Sequence, residues 1–147
     1  GQSAGLLINE SKKGYPILIV HEVTVEEVRA QKLNELRLYD SSEAVNQFSI
    51  DNVSGWWNKA TRVGLMNSIA IEKASGRTET NIWLDNTLFV LPVEKAIDML
   101  QQIELYALMC YNTTQGHINA INQLETKEEI EVYNFKTGYP GKLNFIG

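Results

Sequence analysis

The stretch VEKAIDMLQQIELYALMCYNTTQGHINAINQL, residues 93–124, decides the fold class. Apolar residues return at Val93, Ile97, Leu100, Ile103, Ala107, Cys110, Ile118, Ile121 and Leu124, a spacing that stacks side chains along one side of an α-helix. No proline interrupts the run, so it predicts one helix of about 30 residues, well beyond the ~11–12 usual in globular proteins. Asn112–Gly116 (NTTQG) is its weak link, where poor helix formers are expected to bend or break it.

Immediately before this helix, Thr78–Leu84 and Thr87–Leu91 are two β-prone runs separated by Asp85-Asn86, residues that tolerate the positive φ angles of a tight hairpin turn. Pro92 suits the first helical position, so the second strand is expected to run directly into the helix. Upstream, Trp56–Ser75 carries helical periodicity through Trp56, Ala60, Val63, Ala70 and Ala74, with Leu65, Met66 and Ile69 adding apolar surface elsewhere. That pattern predicts a central helix buried on more than one side and ended by Gly76 in a left-handed conformation.

Further out, Thr24 and Glu27 form a capping-box pattern that opens an amphipathic helix reaching about Tyr39. Asp40–Glu43 repeats the spacing before a short turn with Ala44 and Val45, and Phe48 and Ile50 alternate like a strand. Tyr15–Val20 reads as a strand with Pro16 near its start, and Thr126–Glu129 caps a short terminal helix. The tail of Tyr, Phe and Leu after Gly138 is expected to pack back on the rest. Residues 1–14 are expected to be a poorly ordered leader and 15–147 a single α+β domain, mostly helical, in which the long helix and the central apolar helix pack with a small antiparallel hairpin or sheet.

The 147 residues are 44% hydrophobic and 21% charged, enough apolar material for a core without disulfides or metals. A net charge of −5 and a pI near 5.0, with no basic stripe, exclude nucleic acid as an expected partner. No apolar run approaches the ~20 residues of a membrane-spanning helix. The lone Cys110 has no internal disulfide partner and reads as a small buried side chain.

Chemistry-bearing motifs are sparse. The dinucleotide-binding, phosphate-loop and nucleophile-elbow fingerprints do not occur. His21 and His117 are far apart, and Cys110 and His117 are separated by about two helical turns, so no metal site and no cofactor is expected. Glu104 falls on the same face of the long helix as Ile97, Leu100 and Ala107, where a carboxylate needs a partner. Arg62, on the central helix, is the partner we nominate. Such a pair has the makings of a general acid and an electrophile, but ion pairs that fix packing are commoner, so Arg62 and Glu104 are read as structural. A catalytic reading requires Glu104, Arg62, His117 or Tyr111 in mutual contact. Trp56 and Trp83 are expected in the core, while Trp57 is the candidate interface anchor.

Taken together, Tyr39–Phe48 (YDSSEAVNQF), Trp56–Arg62 (WWNKATR), Ile82-Trp83-Leu84, Leu105-Tyr106-Ala107 and Thr137–Pro140 (TGYP) resemble the DUF4376 domain family of phages and prophages, including gut Bacteroides prophages, over residues 25–147. Trp57 departs from that pattern, which has an aliphatic residue such as Leu after Trp56. The resemblance implies a virion or tail-assembly setting, in the particle or the bacterial host cytoplasm, and carries no catalytic residues. It implies a non-catalytic structural or adaptor domain whose partners are other phage structural proteins or further copies of itself. The rival from another class is a small-molecule or carbohydrate-binding module using exposed aromatics.

Overall fold

Helix α4 (Val93–Gln123) runs 31 residues without a break, about 46 Å at 1.5 Å per residue, and every other major element is arranged along it. The computed structural model describes residues 6–10, 16–20 and 22–147. In chain order the remaining elements are β1 (Leu6–Glu10), β2 (Pro16–Val20), α1 (Val25–Asp40), α2 (Glu43–Asn46), β3 (Phe48–Ile50), β4 (Val53–Gly55), α3 (Lys59–Ala74), β5 (Glu79–Leu84), β6 (Thr87–Pro92), α5 (Lys127–Val132) and β7 (Asn144–Phe145). This is the expected α+β class, dominated by helix.

The NTTQG segment stays helical, and each of its two hydroxyls has a partner outside the helix. Thr113 Oγ1 donates to the Met109 carbonyl at 2.9 Å and to the Gly138 carbonyl at 3.3 Å, and Thr114 Oγ1 donates to the Asp40 carboxylate. Tertiary bonds thus offset a propensity deficit of a few tenths of a kcal/mol per residue. Pro92 sits one position earlier than expected: it closes β6 and precedes the first helical residue, and the freed Val93 N–H donates to the Thr78 carbonyl at 2.9 Å.

Helix α3 starts at Lys59, three residues after its expected beginning. The Asn58 side chain accepts from the Thr61 N–H at 2.8 Å, and this cap fixes the helical start while Trp56 and Trp57 remain in extended chain. Its burial is also narrower than predicted. Ile69 is buried and Leu65 and Met66 partly so, while Val63 and Ile71 are exposed at 45% and 67%. At the other end Gly76 takes φ +88°, and the Arg77 and Gly76 N–H groups bond back to Glu72 and Lys73 carbonyls, the six-to-one and five-to-two pattern that a left-handed glycine permits.

Two hairpins share one turn chemistry. Asp85 and Asn86 (φ 48° and 60°) join β5 to β6, and Asp51 and Asn52 (φ 48° and 68°) join β3 to β4. Both turns place two consecutive residues in the left-handed region, the geometry that matches strand twist. Strand β3 is sandwiched between antiparallel β4 and parallel β7, so all three of its residues are buried instead of alternating. In β5 the alternation is strict: Thr80, Ile82 and Leu84 point inward, and Trp83 therefore points out.

Leu6–Glu10 pairs antiparallel with Pro16–Val20, so part of the stretch expected to be a poorly ordered leader is a strand. The rest of that leader, together with Tyr15 and His21, lies outside the described residues.

The core is in separate pieces. The first half of α4 joins α3, β3, β5 and β6 around Phe48, Ile50, Ile69, Ile82, Leu84, Leu91, Val93, Ala96, Met99, Leu100 and Ile103. Its second half meets α1 and the tail through Leu36, Ile121 and Phe135, and a third cluster joins Val45, Tyr106 and Cys110. Cations of α1 secure the far end: Arg29 Nη1 donates to the Ile121 carbonyl at 2.6 Å, and Lys32 Nζ to the Glu131 and Tyr133 carbonyls at 3.1 and 3.2 Å. Positive charge at carbonyls that end a helix is favourable.

Candidate functional site

Arg62 and Glu104 meet. Arg62 Nε donates to Glu104 Oε1 at 2.9 Å, and its Nη1 donates to the Trp57 carbonyl at 2.8 Å. One guanidinium therefore ties α4, the first turn of α3 and the extended chain before it. The arginine side chain is 12% exposed and the glutamate 35%, so the pair is half-desolvated. Replacing Glu104 with Gln should lower stability by about 1–2 kcal/mol, less than the loss of a fully buried pair because water reaches the carboxylate. A shift in the urea midpoint at unchanged slope checks this.

Around the pair opens a cleft of about 430 Å³, lined among others by Asp40, Lys59, Leu108, Cys110 and Tyr111. His117 is absent from it, standing thirteen residues, about 20 Å, further along α4. Acid, guanidinium and imidazole are not brought together.

His117 belongs instead to a polar seam inside the second half of the molecule. Its Nε2 lies 2.7 Å from the Thr137 carbonyl, which only accepts, so Nε2 carries a proton. On the other side of the ring, Nδ1 meets the Tyr133 hydroxyl at 2.6 Å. One helical turn earlier, Thr114 Oγ1 lies 2.7 Å from both Asp40 Oδ1 and the Tyr139 hydroxyl. The threonine has one proton and gives it to the carboxylate, so Tyr139 donates to Thr114, forming a directed chain Tyr139–Thr114–Asp40. The first bond ties the tail to α4 and the second ties α4 to the end of α1, and no buried side-chain nitrogen or oxygen among the described residues is left without a partner. The seam uses its polar atoms for cohesion.

Beside it, burial pushes the Tyr106 phenol up to about 12, and also raises the Cys110 thiol and the Tyr139 phenol. Cys110 Sγ donates to the Val45 carbonyl at 3.5 Å, so the thiol is a buried, protonated packing group and a poor nucleophile. The fold prefers all three neutral. Their contribution is complete below the unfolded values of 9.0 for the thiol and 10.0 for the phenols, and is lost as pH rises through the folded values. Tm should fall by several degrees as pH rises from about 9 to 12, and Tyr106→Phe should flatten the upper part of that fall in circular-dichroism melts.

The tryptophans do not follow the sequence expectation. Trp56 and Trp83 are exposed, at 40% and 60%, whereas Trp57 is half-buried, packed edge-on against Phe48 at 4.9 Å between ring centroids. Extended chain alternates sides: Ser54 and Trp56 face out while Val53, Gly55 and Trp57 turn in. At Gly55 a β-carbon would lie 2.5 Å from Leu84 Cδ1, so any side chain there would force the buried Leu84 to shift. Trp56 and Trp57 thereby line a cleft of about 460 Å³ together with Glu43, Gln47 and Asp85.

Two apolar surfaces stand out among the described residues. On α4, Leu105, Leu108 and Met109 are 54–62% exposed and form a ridge opposite the buried stripe, while Tyr111, 59% exposed, stands to one side at the Arg62–Glu104 cleft. On the hairpin, Trp83 stands directly across from Leu88, and Val90 continues the same outer face. Among the described residues no three His, Cys, Asp or Glu side chains are grouped to hold a metal ion, and no helix is long and apolar enough to cross a membrane.

No family model matches the sequence, and no match is found among curated proteins or solved structures. The resemblance to DUF4376 domains stands on its motifs alone.

Proposed function

We propose that the chain is a non-catalytic structural or adaptor module acting through protein–protein contacts, in the phage or prophage tail setting that its family-like motifs imply. Its partners on this reading are other phage structural proteins or further copies of itself, met in the virion or the host cytoplasm. The observation that carries the reading is the ridge Leu105, Leu108 and Met109, apolar on the outer side of a helix whose inner side already fills the core. A helix that needs one apolar face to fold and presents a second is suited to docking.

Co-purification with the products of neighbouring genes, with light scattering for self-association, tests it. We expect a defined complex or oligomer that Leu105→Glu with Leu108→Glu abolishes while the circular-dichroism melt is unchanged. An inert monomer in the presence of those neighbours removes the reading. A second reading, a carbohydrate or small-molecule binding module, draws support from the exposure of Trp56 and Trp83, since flat indole faces stack on sugar rings. Binding on a glycan array that Trp83→Ala or Trp56→Ala abolishes would favour it.

A further inference from the structure

We infer that the cleft between Trp56-Trp57, α2 and the β5–β6 turn is a socket for an arginine side chain of a protein partner, an inference that rests on the protein-contact reading above. Three other clefts among the described residues supply their own cations. Arg77 bonds Glu72 at 3.0 Å in the first, Lys32 and Lys136 flank Glu35 in the second, and Arg62 bonds Glu104 in the third. This cleft is lined by two carboxylates, Glu43 and Asp85, and by no cation. Neither carboxylate takes part in a hydrogen bond or ion pair within the described chain. The nearby Lys142 is engaged on the Gln47 side-chain oxygen at 3.1 Å.

The walls are aromatic and preset. Trp57 is held by Phe48 and by the Arg62 bond to its carbonyl, and Trp56 beside it is 40% exposed. Asp85 is fixed in a turn with φ 48°, and Glu43 opens α2. A planar cation stacks on indole faces, and a forked donor set pairs with carboxylates, which is the combination a guanidinium offers and an ammonium or a neutral sugar does not. The net charge of −5 adds long-range attraction for a basic partner.

The test is a two-dimensional NMR titration of the intact chain at low salt, following the three indole N–H signals. The probe is the capped peptide Ser-Gly-Arg-Gly-Ser, with its citrulline counterpart as neutral isostere and maltotriose as the sugar arm. We expect saturable shifts of Trp56 and Trp57 with Trp83 unmoved, and binding about tenfold weaker for the citrulline peptide. Glu43→Gln with Asp85→Asn, both isosteric and the second tolerant of positive φ, should weaken the arginine peptide to the same degree. Equal affinity for arginine and citrulline peptides, shifts confined to Trp83, no saturation, or a preference for maltotriose would each overturn the socket. Trp56→Ala that leaves capture of neighbouring gene products intact would also remove it, while leaving the module reading in place. Saturable arginine binding by a chain that captures no protein would do the reverse.

Discussion

Ile121→Ala should cost about 3–4 kcal/mol, and its damage should be regional. The side chain is completely buried and its cluster is small, with Leu36 and Phe135 as the other fully buried members and Leu33, Tyr39, Ile118 and Tyr133 packed around them. Removing three carbons from a site with rigid helical walls leaves a cavity that collapse fills only in part, which puts the loss in the upper half of the ~2–5 kcal/mol range for such changes. The cluster centred on Leu100 shares none of these residues, so the hairpin β5–β6 should keep its amide protection while α1, α5 and the tail lose theirs. Urea denaturation gives the total and hydrogen exchange gives the distribution. Uniform loss of protection across both halves would show that α4 couples the clusters into one unit.

Thr114→Val should cost about 2–3 kcal/mol despite conserving volume. Among the described residues the hydroxyl is the only group that both receives the Tyr139 proton and supplies one to Asp40, and Thr114 is 5% exposed. Valine leaves a partly buried carboxylate short of a charge-assisted donor and a phenol without its acceptor, and such orphaned groups carry their full desolvation penalty. Thr114→Ser keeps the bonds and should recover most of the loss, which separates the polar role from packing of the methyl group. Equal destabilisation by Ser and Val in thermal melts would refute the bonding argument.

That same threonine marks the boundary of what the sequence makes legible. The periodicity of residues 93–124 suffices for the helix, and the pairing of Glu104 with Arg62 follows from a charge set on an apolar face. The seam around Thr114 and His117 is not readable that way, because its partners Asp40, Tyr133, Thr137 and Tyr139 lie 16 to 74 residues away and no local pattern announces them. Strands β4 and β7 went unexpected for different reasons. The first had a readable signal, since Asp51-Asn52 between Ile50 and Val53 repeats the Asp85-Asn86 turn between Leu84 and Thr87. The second is two residues long and exists through pairing with β3. The tryptophans show a composition habit overriding a pattern: size argues for the core, but with Ile82 and Leu84 inward the period of two leaves Trp83 no choice.

The pairing of β3 with β7 also sets an order of events during synthesis. Ser49 and Asn144 bond side chain to side chain at 2.7 Å across 95 residues, and Gly147 N–H reaches the Asp51 carboxylate at 2.9 Å. A nascent chain makes Ser49 of β3 95 residues before Asn144 of β7 and must hold β3 one-sided until β7 is free to pair. Over that interval an unsatisfied strand edge is open to chaperones or to neighbouring chains on the same polysome.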